Sequence, residues 1–317
     1  MPQHLALRLI QAALVLLAMS FIVYALMGLM PGDPIDLMAT GSPTMTPEDV
    51  ARLKALYGVD KPMIERYGHW LAAALSGDLG YSRLTAQPVL ATLGEPLSNT
   101  VALMLSSLSL SLLFALPAGI FAALRQGRLI DHGLNLLAFA AISLPVFWLG
   151  LVLIIVFAVG LAWLPASGVE TVGGGDVLDR LRHLALPVVA LAIASFGHYL
   201  RYMRAAMIAA LRSDYIRTAR AKGLSWGQVV WHHALRNAMV PVVTVLALDL
   251  GTLFSGVLVT ETVFAYPGMG KLIYDAVMGN DYNLALAGLM LATALTLAGS
   301  LLADIVYGLL DPRIRLR

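Results

Sequence analysis

The 317-residue chain is 59% hydrophobic and 13% charged, with a mean hydropathy of +0.80, which sets it apart from ordinary soluble domains and marks an integral membrane protein. Its formal net charge of +2 gives no bulk electrostatic case for binding nucleic acid, so each charge matters only through its place in the chain. The absence of cysteine excludes disulfides, thiolate metal sites and cysteine nucleophiles together.

A hydrocarbon core of about 30 Å takes about 20 apolar residues per helix. Six segments meet that length, at residues 9–30, 99–124, 134–160, 184–207, 238–260 and 284–309, which predicts an all-α membrane protein of six transmembrane helices. The first apolar run is longer than a secretory h-region and no small-x-small cleavage site precedes Pro31, so residues 1–30 read as a retained helix. Residues 31–96 form the one long polar insertion. Thr46, Pro47 and Asp49 start a helix there that Gly58 stops, and Pro62–Leu75 read as a second, amphipathic helix ended by Ser76 and Gly77. The insertion has a modest acidic excess; it is either a small folded cap that meets a soluble partner or a packing element for the helix ends. Residues 97–310 form a core with the remaining five spans, and 311–317 a tail. Pro117, Pro145 and Pro187 each remove a helical hydrogen bond within or at the start of a span. Pro145, beside Phe147 and Trp148, marks a bend that either shapes a pathway or is a static kink.

The most basic stretch lies in the loop 208–237, between the fourth and fifth spans. Its local chemistry predicts two short helices with a tight joint: Ser213 caps the first, Gly223 ends it in the left-handed conformation, and Ser225 with Gln228 forms a capping box for the second. Tyr215, Thr218, Ala219 and Lys222 recur at helical spacing, so one face carries small side chains beside an aromatic and a basic one. That pattern fits either a docking face for another protein or a solvated loop that only fixes topology.

Lysine and arginine set the orientation. With the N-terminus inside, the inner segments hold Arg8, Arg125, Arg128, Arg201, Arg204, Arg212, Arg217, Arg220, Lys222, Arg236, Arg313, Arg315 and Arg317, against Arg180, Arg182 and Lys271 in the short outer loops. Both termini are therefore expected in the cytoplasm. Ionisable residues within spans are costly and usually face a cavity or a partner. Asp249 lies near the middle of the fifth span and either faces a translocation path or is buried against a polar neighbour such as Thr252 or a residue of another subunit. Glu261 sits at the outer end of that span, where the interface hydrates it, and anchors the following turn or lines the path. Asp304 and His198 lie toward the inner ends of their spans.

No GxxxxGK[ST] phosphate loop occurs, since Gly270 and Lys271 are followed by Leu272, so no ATP hydrolysis is expected from this chain. His232 and His233 are adjacent and point apart, which is not a metal-ligand spacing, and no nucleophile elbow or zinc protease motif appears. These absences give no support for an enzyme. A stand-alone secondary transporter or channel, with Asp249 as a proton or cation site, is the alternative that residue chemistry alone leaves open.

The stretches DYIRTARAKGL at Asp214–Leu224 and HALRNAMVPVV after it resemble the cytoplasmic loop of ABC importer permeases of the dipeptide, oligopeptide and nickel permease family. Arg217, Thr218 and Ala219 stand where the broad signature of that loop has Glu-Ala-Ala; Gly223 keeps its glycine, and the later proline falls at Pro241. MPGDP at Met30–Pro34, YGVDKPMIERYGHWL at Tyr57–Leu71, GDLGYS at Gly77–Ser82, SLPVFWLGL at Ser143–Leu151, WLPASG at Trp163–Gly168, ETVFAYPGMGKL at Glu261–Leu272 and DPRIR at Asp311–Arg315 are similar to the same family in family order. The resemblance implies a type I ABC importer permease fold in a bacterial inner membrane, with the insertion after the first helix extracytoplasmic. It implies that Asp214, Tyr215, Arg217, Thr218, Ala219, Arg220, Ala221, Lys222, Gly223 and Leu224 form an ATPase-coupling loop, and it makes Asp249, Glu261 and Trp148 candidates for lining the pathway. The implied partners are a homologous second permease, two ABC ATPases that hold ATP and Mg, an extracytoplasmic binding protein and membrane lipid. The implied substrate is a di- or oligopeptide, with nickel complexes or glutathione as alternatives.

Overall fold

The apolar runs fold as helices, several longer than a bilayer requires. A computed structural model describes residues 2–29, 46, 48, 49, 51, 52 and 61–310. The expected helix over Thr46–Gly58, the MPGDP motif, the 311–317 tail and its arginines lie outside the fully described segments. In chain order the helices are α1 (Pro2–Gly28), α2 (Met63–Leu75), α3 (Val89–Leu124), α4 (Leu129–Ser143), α5 (Val146–Leu153), α6 (Val177–Leu211), α7 (Asp214–Ala221), α8 (Trp226–Gln228), α9 (Leu235–Val263), α10 (Met269–Met278) and α11 (Tyr282–Leu310).

Among the described residues four helices are long and apolar enough to cross a membrane, at Ala6–Gly28, Val89–Leu124, Val177–Leu211 and Tyr282–Ile305. The expected third span is not one straight helix. Leu129–Ser143 and Val146–Gly160 meet at 97°, which makes them either one broken span, and then a fifth crossing, or a re-entrant turn. The cause is local: Pro145 disfavours helical backbone at the residue before it, and Leu144 adopts φ −86° and ψ 124°. Beyond the bend, α5 continues as a π-helical turn, Ile154–Gly160. The expected fifth span, 238–260, falls inside the 29-residue α9. Helix α3 begins at Val89, inside the segment assigned to the insertion, and α6 is longer at both ends than the expected 184–207.

The chain divides into two units. The first, Met1–Asn99 with Gly268–Leu297, closes around Val23, Met27, Val89, Leu93, Met269, Ile273 and Leu284–Ala287. Here the GDLGYS motif is fastened to the turn before α11. Asp281, 1% exposed, accepts from the Ser82 hydroxyl at 2.5 Å and the Leu84 amide at 3.0 Å, and its other oxygen caps α11 through the Leu284 amide at 3.2 Å. The Tyr81 carbonyl accepts from the Asn283 side chain at 3.0 Å, and Arg83 donates to the Gly279 carbonyl.

The second unit, Thr100–Pro267 with Ala298–Arg317, is built on α6, which packs against α4 and α9 along much of its length. Small residues set the α6 contacts. A Cβ on Gly197 would stand 2.2 Å from the Ala138 carbonyl oxygen of α4, and one on Gly119 of α3 would stand 2.7 Å from the Leu200 carbonyl oxygen. Close packing of this kind replaces hydrophobic burial as the association force between helices in lipid. Gly197→Ala is therefore expected to separate α4 from α6 and to cost about 1–3 kcal/mol of stability, the usual scale for overpacking. Thermal unfolding in detergent checks this against Gly133→Ala on α4, where the added Cβ meets nothing within 4 Å and no loss is expected.

Candidate functional site

The loop between α6 and α9 carries the densest set of exposed functional side chains identified from sequence, and its shape follows from short-range chemistry. After α6 ends at Leu211, Arg212 and Ser213 turn the chain into α7. Ser213 occupies the N-cap position with extended backbone, but its hydroxyl donates to the Ala209 carbonyl at 3.1 Å, so the expected side-chain cap is not made. The preceding helix offers an acceptor one turn back, and the hydroxyl is drawn there. At the other end of α7 the Gly223 amide donates to Arg220 O at 2.9 Å and the Leu224 amide to Ala219 O at 3.4 Å, with Gly223 at φ +82°. This is a Schellman closure, which glycine adopts without the strain of a Cβ. The predicted capping box is present: the Ser225 hydroxyl accepts from the Gln228 amide, and the Gln228 side chain accepts from the Ser225 amide at 3.0 Å.

The second arm is not the short helix expected. Trp226–Gln228, a π-helical stretch Val229–Ala234 and α9 follow one another without a break, so the arm is the first part of a helix that runs to Val263. The hairpin is closed by a core in which Ile216, Ala219, Val229, Val230 and Ala234 bury against Met203, Met207 and Ala210 of α6 and Ala238 and Val242 of α9. Ala219 is thus 5% exposed and spent on internal packing, not presented as a small residue on an outer face. Ile216 and Ala219 share the buried side of α7 because they are three residues apart.

The opposite side is open. Asp214, Tyr215, Arg217, Thr218, Arg220, Ala221, Lys222 and Gly223 are exposed, Leu224 is half-buried, and Trp226 and Trp231 are 51% and 60% exposed. The Arg220 guanidinium lies 5.5 Å from the centre of the Trp226 ring, which joins the two arms across the exposed face. Arg217 pairs with Asp214 at 3.3 Å, a contact whose exposure makes it energetically minor. The surface is therefore basic and aromatic, suited to an acidic or cleft-bearing protein partner.

The same unit holds a polar tie that sequence reading missed. Arg204 of α6 clasps Asp131 of α4, donating from Nε and Nη2 at 2.6 and 2.7 Å; the Asp131 side chain is 2% exposed. Asp131 also accepts from the Gly127 amide at 2.9 Å and the Asn135 side chain at 2.8 Å, so each oxygen is satisfied. Arg212 adds a contact to Gln126 at 3.3 Å. These contacts fix the C-terminal part of α6 to α4 and to the turn before it.

Of the candidate pathway residues, Asp249 and Glu261 are twelve residues apart on α9, about 18 Å along it. Trp148 is 47% exposed near the start of α5. Asp249 is half-buried and accepts a hydrogen bond from the hydroxyl of Tyr199, itself 2% exposed on α6. Glu261 is fully buried, so the expected hydration is absent; it accepts from the Thr100 hydroxyl at 2.5 Å, and its carbonyl takes the Tyr266 amide at 2.8 Å. Burial, then the Glu261 charge, push the Tyr266 hydroxyl up to about 12. His198 is exposed and stacks edge-on to Tyr202 at 4.7 Å, and Asp304 is half-buried.

The chain belongs to the family described as the binding-protein-dependent transport system inner membrane component, whose model matches residues 115–316; the companion model for the N-terminal part of such membrane components matches residues 1–104. It is a multi-pass inner membrane protein with the type I importer permease fold. Among its relatives, the di/tripeptide transport system permease protein DppB of Pseudomonas aeruginosa is 39% identical over 315 residues, covering 93% of this chain and 94% of that protein. The oligopeptide transport system permease protein AppB of Bacillus subtilis is 37% identical over 316 residues, with 99% of both covered. The dipeptide transport system permease protein DppB of Escherichia coli K12 is 35% identical over 321 residues, with 94% of both covered.

The polar tie gives a direct test. Asp131→Ala leaves a partly buried arginine without its carboxylate and is expected to cost about 3–5 kcal/mol, whereas Asp131→Ala with Arg204→Met recovers most of that loss. A double-mutant cycle on thermal unfolding in detergent checks this, and additive losses would deny the coupling.

Proposed function

We propose that this chain is a permease subunit of an ATP-driven importer of di- or oligopeptides, and that residues 214–234 receive the motor stroke. The observation that carries the proposal is mechanical. The exposed basic and aromatic face of the hairpin stands on a body whose one arm continues into α9 and whose core is shared with α6, so a push on that face has two long helices to act on. Lys222, Arg217 and Arg220 supply the charge for docking, Tyr215, Trp226 and Trp231 the apolar area, and Gly223 the closed joint that keeps the arms in register.

The chain itself performs no chemistry in this reading. Two ATPase subunits bind ATP with Mg and dock on the cytoplasmic hairpins of this chain and of a homologous second permease, and a binding protein delivers peptide from outside. Both termini then lie in the cytoplasm, the orientation that the arginine distribution favours. Peptide is chosen because the relatives named above are di/tripeptide, oligopeptide and dipeptide permeases that match along nearly their whole length.

Purification of the chain from its native membrane is expected to bring down a second permease and ATPase subunits, with ATP hydrolysis in the eluate. Scrambling residues 214–237 while insertion is preserved removes the ATPases. An ATPase-free protein that moves solute alone in vesicles contradicts the reading. Within the hairpin, Gly223→Leu meets no steric obstacle, since nothing lies within 4 Å of a Cβ there, but at φ +82° the left-handed backbone costs a side chain about 1–2 kcal/mol. Peptide uptake in cells is expected to fall severalfold with membrane levels unchanged; uptake equal to the parent's removes the joint from the coupling path.

A further inference from the structure

Helix α2 has an unusual seat. It is 13 residues long, about 20 Å, too short to cross a bilayer, and it rests on the C-terminal half of α1 through rings and hydroxyls. The Tyr67 ring packs edge-on to Phe21 at 5.2 Å and to Tyr24 at 5.6 Å, and Trp70 lies 6.0 Å from Tyr24. The Tyr67 hydroxyl shares a 2.8 Å hydrogen bond with Ser20, which is 1% exposed, and donates to the Leu17 carbonyl at 3.4 Å. All these α1 residues belong to the apolar span Ala6–Gly28. Ser20 and Tyr24 lie eight and four residues before Gly28, about 12 and 6 Å along the helix. The level of contact is thus below the end of the span and not above it.

The remaining faces of α2 sort by polarity. Tyr67, Trp70 and Ala74 turn toward the protein. One edge carries Ile64, Gly68, Leu71 and Leu75 at spacings of four, three and four, with Ile64 74% and Leu75 82% exposed. The other outer edge carries Glu65, His69 and Ala72, and Lys61 pairs with Glu65 at 2.7 Å. The Lys61 hydrogen bond and charge hold the Glu65 carboxyl below the usual carboxylate range, as suits a water-facing edge. On α1, Leu14 and Leu17 share the face of Phe21 and Tyr24, at spacings of three, four and three, and are 60% and 48% exposed, so that face is apolar and uncovered beside the seat of α2.

We propose that α2 is an interfacial helix seated in the outer leaflet, with Ile64 and Leu75 in contact with lipid acyl chains and Glu65 and His69 in the headgroup water. The Tyr24 contact, about 6 Å below the end of the span, falls in the roughly 5–10 Å at which amphipathic helices lie in the interface, from which the Tyr67 side chain reaches deeper to Ser20 and Leu17; Tyr67 and Trp70 are the amphipathic rings that favour that level. The occupant of the apolar edge is bilayer lipid because α2 is seated on an apolar membrane span below the end of that span, on a face where Leu14 and Leu17 are uncovered. The insertion therefore has a membrane-bound portion, whatever solute the transporter carries.

The absence of native cysteine makes the test direct. Ile64→Cys, Leu75→Cys and His69→Cys are introduced singly into the full chain, labelled with a small environment-sensitive fluorophore and reconstituted in phosphatidylcholine vesicles. Labels at 64 and 75 are expected to be quenched by doxyl groups near the top of the acyl chain and severalfold less by aqueous iodide than the label at 69. Equal iodide quenching at all three positions overturns the proposal in favour of a water-exposed cap. Protection at 64 and 75 from both quenchers overturns it in favour of a covering protein.

Discussion

The approach of α6 to α4 at Gly197 is the constraint on which the second unit depends. With a prospective Cβ only 2.2 Å from the Ala138 carbonyl oxygen, no other residue fits without parting the helices. That contact, the nearby approach of Gly119 to Leu200 and the two-pronged Arg204–Asp131 clasp hold α6 as a post. The hairpin then builds outward from its end, burying Ile216 and Ala219 on α6 and α9 and leaving the charged and aromatic face free. A surface that is to transmit force must be stiff beneath. Here the stiffness comes from helix contacts and a satisfied ion pair, because lipid supplies no hydrophobic driving force between helices.

The electrostatic design differs between the buried and exposed parts. Arg217–Asp214 at the tip is open to water and contributes little to stability. Arg204–Asp131 is shielded and each carboxylate oxygen is satisfied, so losing one partner strands the other. Asp249 and Glu261 follow the same rule: the first accepts from the Tyr199 hydroxyl, the second from Thr100. Asp131, Asp249 and Glu261 each have a hydrogen-bond donor drawn from a different helix, which ties helices together whatever else those groups do.

What could be read from sequence was local. The apolar runs, the Gly223 closure and the Ser225–Gln228 capping box each depend on residues within a few positions of one another, and each is present. What could not be read depends on distant partners. Asp131 and Arg204 are 73 residues apart, Glu261 and Thr100 are 161 apart, and no spacing rule announces either pair. Ala219 looked like an open small residue until Val229 and Val230 were brought over it. The 97° bend was half legible: Pro145 marks the break, but its size is set by how α4 and α5 pack on α6. The π-helical stretch over VVWHHA carries no compositional signal, so an arm that reads as a short helix is the root of α9.

A hairpin that acts as a lever must move with the helices on which it is built. Spin labels on Ala221→Cys, at the exposed side of α7, and Leu136→Cys, 71% exposed on α4, report this by pulsed dipolar distance measurement in the assembled transporter built on cysteine-free partners. If α4, α6 and the hairpin form one body, the distance distribution is the same with and without ATP while peptide transport proceeds. A shift or second population on ATP binding would show the hairpin moving on its own and would contradict a rigid transmission.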